Sequence, residues 1–208
     1  AGTTYDAMLD VPTLTSQTVA NYAVLNPLDV VSGGSVYDGN LNTYGTISGY
    51  IAKRCSMAMP NGKFYAEITL SGNYTSAFGL WPTERALTSA SSWTYGYVIL
   101  NNGAGGYVTR SNNSDTNSRS ADTAGDVFQV AYDADTNKLW LGRNNTWYGG
   151  GSPASGTSPT YTTTSNTLYS MVVVGGETSS QPVYANFGQR PFTYTPPSGF
   201  VALNTYNI

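Results

Sequence analysis

The sequence predicts an all-β protein, an antiparallel two-sheet β-sandwich, and three observations point there. Apolar residues at the i, i+3, i+4, i+7 spacing of an amphipathic helix almost nowhere persist beyond two turns. Short β-branched and aromatic runs alternate instead with clusters of Gly, Asn, Ser and Pro, the spacing of a sandwich or barrel. Among 208 residues there are 23 Gly, 10 Pro and 17 Tyr, with 13% aromatic against only 10% charged side chains. That mixture buries a core yet lacks the high charge of a disordered chain. No internal repeat of about 20–50 residues is visible, which excludes a solenoid or propeller.

The elements follow in chain order. Residues 1–45 carry weak periodicity and are expected to form an N-terminal arm or extra outer strands. Within them Asn26-Pro27-Leu28-Asp29 reads as a turn, because the residue before Pro is pushed out of the α region. Residues 46–208 are expected to form the sandwich. Lys63 to Leu70 alternates polar and apolar behind the Asn61-Gly62 turn, a dipeptide that tolerates positive φ. Ala77 to Trp81 is a second strand, stopped by Pro82. Tyr95 to Leu100, Asn101-Asn102-Gly103 and Gly106 to Val108 read as a hairpin, and Ser111 to Ser120 as a surface loop. Val127 to Tyr132 and Lys138 to Leu141 flank a turn at 133–137. Gly149 to Ser158 is loop, and Tyr169 to Val174 and Val183 to Phe187 are late, buried strands. The ending is a strap. Pro191, Pro196 and Pro197 keep it extended and out of a central ladder, Gly188 and Gly199 suit unusual φ, and Phe187, Phe192, Tyr194 and Phe200 staple it to a sheet. Arg190 is expected to bind several loop carbonyls with its five donors, a structural role preferred over a ligand clamp.

Composition excludes several chemistries. The chain has no His and one Cys, so a Zn²⁺ site, a Ser-His-Asp triad, a Cys-His pair and an intrachain disulfide all lack a part. Cys55 is expected to pack as a small hydrophobe. With 9 Lys+Arg against 12 Asp+Glu and a net charge of −3, no basic face for nucleic acid is expected. No apolar run approaches the roughly 18 residues that span a bilayer, so membrane insertion is not expected. Carboxylate pairs run glycoside hydrolysis at separations of about 5–5.5 or 6.5–9.5 Å. Glu67, Glu84, Asp126, Asp133 and Asp135 are the candidates, but no paired-Glu motif singles out two of them. Asp133-x-Asp135-x-Asn137 opens like a calcium loop, yet Lys138 and Asn144 stand where that loop needs Gly and a bidentate Glu. A hairpin turn is the preferred reading, and neither metal nor cofactor is expected.

The rings are the best functional hint. Trp93, Tyr95 and Tyr107 lie in or beside tracts rich in Asn, Ser, Thr and Gly, where flat faces that stack on sugars meet amide and hydroxyl groups. They are the candidate ligand-binding residues. Trp81, Tyr97, Trp147 and Tyr148 lie in similar tracts; Trp81 and Trp147 can equally fill the sandwich, as Trp140 is read to do.

Gly62-Lys63-Phe64-Tyr65-Ala66-Glu67-Ile68, Gly125-Asp126-Val127-Phe128-Gln129-Val130-Ala131-Tyr132-Asp133 and Lys138-Leu139-Trp140-Leu141-Gly142-Arg143-Asn144-Asn145-Thr146-Trp147 together resemble the core strands of SPRY domains. The resemblance spans about residues 45–204 and implies a concanavalin-like jelly roll. Asn186-Phe187-Gly188-Gln189-Arg190-Pro191-Phe192, running on to Gly199-Phe200 and Ala202-Leu203-Asn204, is similar to the ending of SPRY-like virion proteins of tailed bacteriophages. Asn21 to Leu28 is similar to their opening. This resemblance implies a non-catalytic structural protein on the virion surface, a capsid or tail decoration or fibre subunit. Its expected partners are other virion proteins, in a homo-oligomeric or multicopy arrangement, with residues 1–45 as an attachment segment. A host-receptor module that binds glycan is the alternative, and a glycoside hydrolase the third reading.

Overall fold

A computed structural model describes residues 16, 19–31, 34–45, 51–87, 94–101, 106–175 and 181–208, with the backbone alone at 106–107 and 117–119. Sixteen strands follow one another: β1 (Leu25–Val30), β2 (Gly34–Tyr37), β3 (Asn42–Gly45), β4 (Ile51–Met59), β5 (Lys63–Leu70), β6 (Ser76–Pro82), β7 (Tyr97–Asn101) and β8 (Gly106–Ser111). The second half holds β9 (Ser114–Ser120), β10 (Val127–Asp133), β11 (Lys138–Arg143), β12 (Thr146–Trp147), β13 (Tyr161–Thr162), β14 (Tyr169–Gly175), β15 (Val183–Asn186) and β16 (Val201–Ala202). They form two facing sheets, ordered β1-β4-β14-β6-β7-β8-β9 and β12-β11-β10-β5-β15-β3-β2, with β13 on β11 and β16 on β5. Every pairing is antiparallel except β16 with β5. The all-β sandwich expected from the sequence is therefore what the chain folds into.

Alternation decides which side chains meet. On β5, Phe64, Ala66, Ile68 and Leu70 join the core between the sheets, with Phe128, Val130 and Tyr132 of β10 and Met171 and Val173 of β14. Tyr65 and Glu67 point the other way. Both outer faces are then covered as well. Trp81, Val98, Leu100, Val172 and Val174 cluster on the first sheet's outside. Tyr65, Ala131, Trp140 and Phe200 cluster on the second's.

Four expectations change. Trp140 is fully buried, but outside the sandwich. It lies between Leu139 and Leu141, which face in, and so occupies the outer face beneath the strap. There its ring meets Phe200 edge-on at 6.0 Å and its Nε1 donates to the Thr157 carbonyl at 2.9 Å. Residues 111–120 are not a loop: Asn112 and Asn113, at φ 50° and 57°, make a two-residue hairpin turn and β9 pairs back on β8. Thr109 and Thr116 bridge that ladder through their hydroxyls at 2.9 Å, holding together strands with little apolar content. The Asn26-Pro27-Leu28-Asp29 turn survives only as an irregularity inside edge strand β1, between the Leu25–Cys55 and Val30–Lys53 pairs, where Leu28 N donates to Asn26 Oδ1. The fourth is β4, a nine-residue strand that the apolar pattern did not mark, because Lys53 and Arg54 sit in it.

β1 is an edge strand of the first sheet, and β2 and β3 end the second, so these three strands lie within the two sheets. Cys55 is buried, and burial pushes its thiol up to about 11.

Lys53 is fully buried and, among the described residues, makes one hydrogen bond, from Nζ to the Tyr44 carbonyl at 3.2 Å. Burial lowers its ammonium from 10.5 to about 7.

Two measurements check this packing. Trp140→Ala is expected to destabilise the protein by about 3–5 kcal/mol in urea unfolding, through the cavity and the unmade indole bond. Between pH 7 and about 10 the unfolded chain binds the Lys53 proton and the folded chain does not, so stability should rise with pH across that window. Below pH 7 both states are protonated and the burial penalty is present in full. Lys53→Met should raise the melting temperature at pH 6 and abolish that rise.

Candidate functional site

The loop that follows β6 is fastened to the first sheet by Arg54. Its Nη1 donates to the Thr83 carbonyl at 2.8 Å and its Nη2 to the Arg85 carbonyl at 2.5 Å, while Nε lies 3.1 Å from Asp29 on β1. Trp81 Nε1 donates to the same Arg85 carbonyl at 3.2 Å. This fixes the backbone from which the Arg85 side chain folds over Tyr95, its guanidinium 4.5 Å from the ring centroid. Tyr95 in turn stands edge-on to Trp81 at 6.4 Å. It keeps 45% of its surface exposed, so one ring is clamped yet still open to solvent.

Tyr95 and Arg85 form one wall of a cleft of about 380 Å³ whose other walls include Glu84, Thr94, Tyr97, Asn112, Thr164 and Tyr169. Asn113 Nδ2 bonds Thr94 Oγ1 at 3.0 Å and the Tyr97 hydroxyl meets Thr164 Oγ1 at 3.4 Å, tying the rim together. Behind it Tyr97 packs against Tyr161 and Tyr169, and Tyr169 against Tyr132. Burial pushes the Tyr169 phenol to about 12 and raises that of Tyr132, so both remain neutral hydroxyls near pH 7. A second depression of about 450 Å³, lined by Pro60, Tyr132, Asp135, Asn137, Asn166 and Leu168, shares Thr167 with the first. Chemically the pair offers ring faces, hydroxyls and amides, with one cation and few carboxylates.

Of the three candidate rings, Tyr95 is in this cleft and Trp93 lies outside the described residues. The Tyr107 backbone belongs to β8 opposite Asn101, whereas Ser111, opposite Tyr97, borders the cleft. Four residues of strand, about 13 Å at ~3.3 Å each, separate the two positions, so Tyr107 is at the other end of that ladder. Tyr97 is among the rings read from the sequence, whereas Arg85 is not, since only the crossing of β6, β7 and β8 brings it to Tyr97 and Asn112.

The acidic residues are held by the scaffold. Asp133 Oδ1 accepts from the amides of Asp135 and Thr136, both at 3.1 Å, and Oδ2 pairs with Lys63 at 3.4 Å. Asp135 accepts from Gly62 N at 2.9 Å, and Asn137 supplies the positive φ of the turn. Local turn bonding therefore occupies the candidate calcium residues. Among the described residues no group of three His, Cys, Asp or Glu could hold a metal. Asp126 accepts from Thr123 N, Asn144 Nδ2 and the Arg143 guanidinium at 2.6–2.7 Å. Burial raises the neighbouring Asp122 carboxyl to about 6 against the pull of Arg143. Glu67, buried on β5, accepts from Tyr65 Oη at 2.7 Å and from the strap amides of Thr193 and Tyr194 at 2.8 and 2.9 Å. Glu84 and Asp135 alone of the five carboxylates line the clefts, one in each.

The fold has solved counterparts. The SPRY domain of human HERC1 superposes with a TM-score of 0.56 at 14% identity, covering 80% of this chain and 99% of that one. The TRIM65 PSpry domain gives 0.57 at 10% identity, covering 80% and 90%. Stonustoxin gives 0.56 at 16% identity, covering 79% of this chain and 27% of stonustoxin. The chain thus has the fold of a SPRY domain. No family model and no curated protein sequence matches it.

The Glu67 contacts generate a prediction. Glu67→Gln turns one acceptor into a donor facing the strap amides and should cost about 1–3 kcal/mol in urea unfolding. The Thr193 and Tyr194 amides should exchange faster with deuterium than in the parent, whereas amides of β14 should slow or speed only with global stability.

Proposed function

We propose that the protein is a non-catalytic structural subunit displayed on the surface of a tailed-bacteriophage particle, present in many copies and bound to other virion proteins. One observation carries the non-catalytic part: Glu67, Asp126 and Asp133 are bonded into the scaffold, leaving Glu84 and Asp135 in separate depressions rather than as a facing pair. Two-carboxylate glycoside hydrolysis needs both groups within reach of one bond. The particle setting is supported by the sequence likeness of the opening and of the Asn186 to Asn204 ending to phage virion proteins. Low charge agrees with it, because surfaces made of hydroxyls and amides desolvate at less cost than ionic ones when subunits meet.

A second reading, host-glycan recognition, is favoured by the clamped and exposed Tyr95 ring beside Thr94, Asn112 and Thr164. A ring held in place loses little freedom when a ligand stacks on it.

Electron cryomicroscopy of purified particles should show this sandwich on the outer surface in symmetric copies, and particles without it would overturn the structural reading. On a glycan array, Tyr95→Ala should weaken any binding by about tenfold or more, and unchanged binding would remove the cleft from glycan recognition.

A further inference from the structure

A groove on the strap side of the second sheet is used neither by the scaffold nor by the Tyr95 cleft. Two depressions, of about 180 and 330 Å³, share Tyr184 and Arg190 as walls. Tyr184 lies on β15 between the inward-facing Val183 and Ala185, so its ring stands on the outer face, 40% exposed. Among the described residues its side chain has no hydrogen bond and no ring contact. Arg190 is exposed and does not do what the sequence suggested: among the described residues it makes one bond, 3.3 Å, to the Ala185 carbonyl, and pairs with no carboxylate. Arg54, Lys63, Arg110 and Arg143, by contrast, all pair with acids.

The turn that carries the arginine is nevertheless held. Asn186 Nδ2 bonds the Pro191 carbonyl at 3.1 Å, Gly188 N bonds Asn186 Oδ1 at 3.0 Å and Phe187 N bonds Gln189 Oε1 at 2.9 Å, closing a tight turn around position 190. The acids that line the same depressions are engaged elsewhere. Glu67 accepts from the amides of Thr193 and Tyr194, and Asp38 from Asn42 Nδ2 at 2.9 Å. The groove therefore presents a guanidinium fork without a neutralising partner, an open ring face, and the polar side chains of Thr69 and Asn186.

We infer that this groove is a second saccharide site, selective for a sugar that carries a carboxylate, such as a hexuronic acid unit. The fork of Arg190 matches a carboxylate in bidentate geometry. The Tyr184 ring takes the C–H face of the pyranose, and Thr69 and Asn186 take its hydroxyls. The site is separate from the Tyr95 cleft in place and in ligand chemistry, and does not depend on where the protein is displayed.

Titration calorimetry of the whole chain at low salt, with oligogalacturonate, oligoglucuronate and a neutral oligogalactan, tests it. At least one of the two acids should bind and the neutral chain should bind at least tenfold more weakly. Arg190→Gln and Tyr184→Ala should each weaken acid binding by tenfold or more. Arg190→Lys, which keeps the charge without the fork, should fall between, and Tyr95→Ala should leave acid binding unchanged. Both exposed substitutions should retain the parent melting temperature. Failure of both acids to bind at millimolar concentration, equal affinity for the neutral chain, or unchanged affinity in Arg190→Gln would each overturn the site. Loss of acid binding in Tyr95→Ala alone would assign it to the other cleft.

Discussion

In the middle of the second sheet the carboxylate of Glu67 is taken out of water with no described cation within ion-pairing distance. An isolated buried carboxylate costs several kcal/mol unless hydrogen bonds replace its hydration. Three do: the Tyr65 hydroxyl and the amides of Thr193 and Tyr194. Because two of the donors are main-chain groups of the strap, the last part of the chain has one placement that satisfies the sheet. That placement lays Phe192 edge-on to Tyr65 at 4.9 Å and Phe200 on Trp140. It also delivers β16 to the stretch of β5, at Phe64 and Tyr65, that β15 leaves unpaired. Gln129 extends the chain of bonds, donating to the Tyr65 hydroxyl and accepting from Asn145 N, so β10 and the turn after β11 are fixed by the same carboxylate.

The first sheet solves the same covering problem with a cation. Arg54, nearly buried on β4, holds Asp29 of β1 and two carbonyls of the loop after β6 in one guanidinium. The loop it fixes carries Arg85, and Arg85 and Trp81 fix Tyr95. The exposed ring of the cleft thus depends on a side chain two strands away. Its stiffness comes from Trp81 packing and two main-chain acceptors, not from the local Ser/Thr-rich sequence around it.

The strands visible in the sequence are those that alternate by face or, like β14, run continuously apolar. β5, β10 and β11 alternate strictly, with Asn-Gly in the turn before β5 and Asp and Asn in the turn between β10 and β11. The same alternation held information that a count of large rings obscured. With Leu139 and Leu141 facing in, Trp140 had to face out, and with Phe64, Ala66 and Ile68 facing in, Glu67 had to meet whatever covered the sheet. β4 was not legible because its Lys53 and Arg54 are buried against carbonyls that only the folded chain supplies. β9 was not legible because hydroxyl bridges and an Asn-Asn turn hold it, with no apolar stripe. For the candidate sites, local sequence identified Tyr95 but not its clamp, which is long-range. Arg190 was visible as one of few cations, yet its holding a single carbonyl, that of Ala185, in place of several reflects how tightly the 186–191 turn closes.

Scarcity of charge ties these features together. In a chain with 9 cationic and 12 acidic side chains, most described ions act as rivets, either across a ladder, as Lys63 with Asp133 and Arg110 with Asp115, or between a strand and a loop. Arg143 joins Asp122 and Asp126 to the carbonyls of Ser120 and Ala121, Lys138 reaches the Gly156 carbonyl, and Asp133 closes its own turn. A group bonded on every side has little capacity left to move a proton, and its displacement would loosen the fold. What such a scaffold leaves on its surface is mostly neutral: rings, hydroxyls and amides, which recognise by shape and hydrogen bonding and desolvate at modest cost. Against that background an ion with no described carboxylate paired to it leaves an uncompensated field. Arg190 is such an ion, placed beside an unstacked ring, so the same economy of charge that argues against catalysis in the Tyr95 cleft gives the strap groove its selectivity.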